Sequence, residues 1–154
     1  MNDDSVIGVP ARQQLAETTM AIYAAITLLG VVAAASWKGI FADNLELIVI
    51  IIATTVTVAV AHVWAAAAAH RVVASAPLSR AEWREEGRLA LSVMVVGGLA
   101  IAAFLGAQLL SFELAGSVVA TLLMLIAVLF VVGVVGGDFD GEPLHLVLLD
   151  HAGN

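Results

Sequence analysis

Cysteine is absent from these 154 residues. That excludes disulfides, thiolate metal sites, catalytic cysteines and lipid attachment through sulfur. Charge is scarce too: 12% of residues are Asp, Glu, Lys or Arg against 62% hydrophobic, and a soluble domain carries about 25% charged residues. Such a chain needs lipid as part of its solvent. Basic residues are the rarest of the charges, with Lys38 the single lysine and none of either kind after Arg88, and the formal net charge is -7. No basic patch exists of the sort nucleic acid requires, so nucleic-acid binding is excluded as a function class. Enzyme signatures are missing as well: no phosphate-cradling glycine loop, no His-Glu-x-x-His and no serine set beside a base. The expectation is a non-enzymatic protein with no catalytic residues, no cofactor and no metal site.

What is present is long apolar sequence. Four runs, at 15–37, 45–73, 89–110 and 114–135, each exceed the roughly 20 helical residues that cross a hydrocarbon core of about 30 Å. Strands would leave backbone groups unpaired in lipid, so the runs predict helices. With their charged lead-ins the spans become about 15–37, 45–73, 80–110 and 113–136, an all-α membrane protein built as a four-transmembrane-helix bundle. Residues 1–14 form an N-terminal segment and 137–154 an acidic tail. The alternative for the first run is a signal peptide cleaved near Ala33-Ala34-Ala35, but the segment before it is long and acidic where a signal is short and basic.

Helix punctuation agrees with these spans. Pro10 suits a first turn, where its missing N–H costs nothing. Asp43 with Glu46, and Ser79 with Glu82, have capping-box spacing. Only Ser111, Phe112 and Glu113 separate the third and fourth runs, which predicts a tight antiparallel hairpin. Trp37, Trp83 and Phe112 fall near helix ends, as interfacial aromatic anchors do. Arg12, Arg71, Arg80, Arg84 and Arg88 lie on one side of a four-span topology and Lys38 on the other. Short basic connections stay inside, so both termini and the second connection are expected in the cytoplasm.

Within the spans, small residues recur every four positions at Gly98, Ala102 and Gly106 and at Ala61, Ala65 and Ala69. Such stripes allow close backbone approach. The commoner use is packing within one subunit; the other is a homo-oligomer or a contact with another membrane protein. Polar groups inside a membrane are costly and therefore informative. Thr19, Tyr23 and Thr27 share one face of the first helix, and Thr55 lies one heptad before His62 on the second. Counted from the helix ends, Tyr23 and His62 fall at similar depths, which predicts an interhelical Tyr23–His62 contact in a dry interface. The functional alternatives are a proton relay or channel past His62, and a membrane-embedded enzyme. Glu17, His70 and Arg88 are expected to form an interfacial ion-pair cluster, and Glu85 is also spaced to pair with Arg88. Asp138, Asp140, Glu142, His145, Asp150 and His151 enrich the tail in oxygen and imidazole groups without the spacing of a calcium loop.

Ile22-Tyr23, Ala61-His62-Val63-Trp64-Ala65 and Glu82-Trp83 together resemble a family of uncharacterised four-span actinobacterial membrane proteins. The likeness covers roughly residues 15–135, and the acidic tail departs from it. The resemblance implies bacterial origin, a plasma-membrane location and importance for Tyr23 and His62, with no activity attached.

Overall fold

The computed structural model describes residues 9–40 and 43–137. The acidic tail lies outside the described residues. Four helices account for nearly all of the rest: α1 (Val9–Trp37), α2 (Asn44–Ala74), α3 (Arg80–Leu109) and α4 (Leu114–Gly137). All four are long and apolar enough to cross a membrane, and the chain is a multi-pass membrane protein with an all-α four-helix bundle. Pro10 sits in the first turn of α1.

Local sequence explains four of the helix ends. Ser79 and Glu82 close a full capping box on α3, with the Ser79 N–H donating to Glu82 Oε2 (2.7 Å) and the Glu82 N–H to Ser79 Oγ (3.3 Å). Asp43 accepts from the Glu46 N–H at 2.9 Å and starts α2. α1 stops in a Schellman turn around Gly39, at φ 60°; the Gly39 and Ile40 N–H groups donate back to the Ser36 and Ala35 carbonyls. α3 stops the same way, except that Ser111 takes the left-handed position at φ 61°, with Ser111 and Phe112 N–H groups donating to Gln108 and Ala107. This is the tight α3–α4 hairpin that the short connection predicts.

Packing departs from a simple sequence of hairpins. α1, α3 and α4 pack on one another, while α2 lies mainly on α3 and only lightly on α1. The shared core holds Leu28 and Val32 of α1, Leu47 and Ile51 of α2, Val93, Ala100 and Phe104 of α3 and Leu125 of α4. α2 and α3 run antiparallel: Asn44 meets Gln108, Thr55 meets Gly97 and His70 meets Glu82 in one register, and His62 reaches one helical turn off it to Glu86.

That register corrects the reading of the small-residue stripes. Gly98 and Ala102 are exposed, Gly106 is half-buried with open space where a side chain would stand, and Ala61, Ala65 and Ala69 are exposed or nearly so. Both stripes look outward, and neither packs this bundle. The close approach is made one residue away, at buried Gly97, where an added Cβ would lie 2.6 Å from Thr55 Cγ2. Small residues at four-residue spacing fix a helical face but not the direction in which it points.

Two polar layers bracket the apolar middle. Asn44, Gln108 and Ser117 form one, and His62 with Glu86 the other. Asn44 to His62 is eighteen residues along α2, about 27 Å, and Glu86 to Gln108 is twenty-two along α3, about 33 Å. These lengths straddle the hydrocarbon thickness of about 30 Å. Beyond the second layer, the charged turns of α3 at 80–88 lie beside the last three turns of α2. Six ionisable side chains in nine residues do not sit in hydrocarbon, so the α2–α3 connection projects from the bilayer as a helical hairpin. Five consecutive alanines at 65–69 keep α2 helical there, because alanine favours helix in water as well as in lipid.

Candidate functional site

The second polar layer joins α2 to α3 through His62 and Glu86. His62 Nε2 and Glu86 Oε2 lie 3.0 Å apart with side chains 25% and 21% exposed. Both atoms are shut off from solvent, and the approach is off the direction of a well-formed hydrogen bond, so each has the other and nothing else. α2 delivers His62 three residues after buried Ala59, on the edge of the face that packs α3. α3 delivers Glu86 from one turn before its own apolar run. Chemically, the pair is an imidazole facing a carboxylate between two helices.

Past this pair a groove of about 310 Å³ between the two helices includes His70, Glu82, Glu85 and Glu86. His70 Nδ1 stands 3.6 Å from Glu82 Oε1. Glu82, on the hairpin outside the slab, titrates below its ordinary value because Ser79 donates to its carboxylate, through the hydroxyl first and the backbone second; His70 adds a smaller effect in the same direction. Among the described residues no cluster of three or more His, Asp or Glu side chains is arranged to hold a metal ion.

Tyr23 does not take part. Its side chain is 58% exposed on the outside of α1, and His62 turns to Glu86 instead. The expected Tyr23–His62 contact is therefore not formed. The reason is facing: Tyr23 points away from the bundle, while His62 lies on the edge of the α2 face that packs α3. Nor do the threonines act as interhelical glue. Thr19, Thr27, Thr55 and Thr121 each donate to the carbonyl four residues earlier in the same helix, at 2.7–2.9 Å. The expected cluster of Glu17, His70 and Arg88 divides in two: Arg88 Nε approaches Glu17 Oε1 at 3.9 Å, while His70 stands with Glu82.

The hydrogen bonds that do join helices were not expected. Asn44 Nδ2 donates to Gln108 Oε1 at 3.1 Å, and Gln108 Nε2 donates to Asn44 Oδ1 at 3.2 Å and to Ser117 Oγ at 2.8 Å. One amide thus ties α2, α3 and α4 at the end opposite His62. The signal was available: Gln108 is the one carboxamide in the third apolar run. Glu86 was hidden by a charge run that reads as solvated, although Glu82 and Glu86 stand one turn apart facing two histidines.

Comparison with protein-family models, curated proteins and solved structures returned no match.

Proposed function

We propose that the chain is a non-enzymatic structural, interaction or accessory protein of a bacterial plasma membrane, with both termini and the α2–α3 hairpin in the cytoplasm. One observation carries the reading: among the described residues, the inward positions between the two polar layers hold no series of ionisable groups. They are apolar, as at Leu47, Ile51, Val96, Ala100 and Phe104, or hydroxyls bonded to their own helix, as at Thr55 and Thr121. A bundle closed in this way supports contacts at its edges better than passage through its middle. The hairpin offers such an edge, since Arg71, Arg80 and Arg84 are all exposed on it. The outward stripes at Gly98 and Ala61 are the surfaces on which a second copy or another membrane protein would approach most closely. Orientation follows from the basic residues, and bacterial origin from the family resemblance.

The competing class is a proton-linked channel past His62. Liposomes containing the full chain and an internal pH dye separate the two. The proposal predicts proton flux equal to that of empty liposomes and unchanged in His62→Ala. Flux above that level that disappears in His62→Ala overturns it.

A further inference from the structure

A second groove, of about 430 Å³, runs between α1, α3 and α4. Its mouth lies at the level of the His62–Glu86 layer and holds Glu17, Arg88 and Ser92, while Val95, Leu99, Val128 and Val132 line the part within the apolar slab. From Arg88 to Leu99 is eleven residues, about 16 Å along α3, which is the depth of one leaflet. Leu91 and Val95 are more than half exposed on its wall, so the groove opens sideways to lipid. Its shape is that of a single acyl chain with a polar end at the interface.

The charges at the mouth specify the headgroup. Arg88 and Glu17 are 66% and 36% exposed and only 3.9 Å apart at the guanidinium Nε, a loose pair that contributes little by itself. The two Nη groups of Arg88 point to no other ion-pair partner among the described residues and suit a phosphate bidentately. Glu17 Oε1 already accepts from Gln13 Nε2 at 3.1 Å, which holds the carboxylate in place with lone pairs to spare. One cation beside one anion complements a zwitterionic headgroup; an anionic one would meet Glu17 unfavourably.

We propose that this groove binds one phospholipid of the leaflet on the side of the α2–α3 connection. Its acyl chain lies along Val95, Leu99 and Val128, its phosphate on Arg88 and its primary ammonium on Glu17. The ligand class is an aminophospholipid of the phosphatidylethanolamine type. This site does not depend on the non-transport reading above, and either one stands if the other fails.

The test is spin-label EPR on the full chain in bilayers, with labelled phosphatidylethanolamine, phosphatidylglycerol and phosphatidylcholine compared in turn. Motionally restricted phosphatidylethanolamine is expected about fivefold over phosphatidylcholine, the equivalent of about 1 kcal/mol, because a primary ammonium donates hydrogen bonds to the Glu17 carboxylate and a quaternary one has none to donate. Glu17→Gln removes that preference, Arg88→Gln lowers the restricted fraction of both zwitterionic lipids, and Val95→Phe, which fills the groove, lowers the restricted fraction for every lipid. Thermal unfolding of each variant confirms that the bundle is intact. Equal restriction of all three lipids, a preference for phosphatidylglycerol, or a restricted fraction unmoved by Val95→Phe in a folded bundle overturns the proposal.

Discussion

Thr55 on α2 seats its side chain against the bare backbone of Gly97 on α3. Both residues are buried, and the Thr55 hydroxyl is already committed to the Ile51 carbonyl at 2.7 Å. A methyl group at position 97 would meet Thr55 at a distance no relaxed contact tolerates. Gly97→Ala is therefore expected to cost about 1–3 kcal/mol, the usual range for overpacking. Gly98→Ala, with nothing within 4 Å of the new Cβ, is expected to cost nothing. Thermal unfolding in one detergent compares the two, and Thr55→Ala should recover part of the Gly97→Ala loss. Equal effects at 97 and 98 would contradict the register.

The His62–Glu86 contact yields a coupling measurement. Removing either partner strands the other, and a double-mutant cycle of His62→Ala with Glu86→Ala is expected to return a coupling of about 0.5–3 kcal/mol. The same cycle between Tyr23→Phe and His62→Ala should be additive, because the two side chains face different surroundings. Coupling in the second cycle and none in the first would restore the contact that sequence positions suggest.

At the opposite layer, Gln108→Leu breaks three hydrogen bonds among α2, α3 and α4. Interhelical hydrogen bonds in membranes average about 0.6 kcal/mol with a maximum of about 1.7, so the expected loss is about 1–2 kcal/mol. Unfolding by steric trapping in bicelles measures it.

Two serines hold left-handed backbone, Ser75 at φ 53° and Ser111 at φ 61°. A side chain is strained there and glycine is not. Ser111→Gly should raise stability by about 0.5–1 kcal/mol, less than the full left-handed penalty because glycine also loosens the unfolded chain. Unchanged or lower stability would mean that the turn takes another conformation.

The α3 cap also titrates. Glu82 is held in its carboxylate form by Ser79, so its folded-state value lies below its unfolded one. The cap contribution is present above the ordinary glutamate range and is lost as pH falls through the depressed folded value. Protection factors in the first turn of α3, taken against the intrinsic exchange rate at each pH, should fall on acidification through that window, and Glu82→Gln should remove the dependence.

Much of this architecture was legible in sequence because its signals are local. A capping box at Ser79 and Glu82, three residues between two apolar runs, and apolar lengths over 20 all report on their own neighbourhood. Facing was not legible. In water a buried stripe is apolar and an exposed one polar, but in lipid both are apolar, so nothing distinguished Gly97 from Gly98 or turned Ala61, Ala65 and Ala69 outward. Glu86 became visible only when α3 was laid against α2 and brought it to His62.

The central claim is that the hydrocarbon slab ends near the His62–Glu86 layer and that the last turns of α2 stand outside it. The absence of native cysteine makes a single-cysteine scan of α2 direct. Val56→Cys, Val60→Cys, Ala69→Cys, Val72→Cys and Val73→Cys, all at exposed positions, are treated in opened native membranes with a membrane-impermeant maleimide that reaches both faces. The account predicts labelling at 69, 72 and 73 and protection at 56 and 60. Protection continuing through 72 and 73 would place the whole of α2 in the bilayer and contradict it.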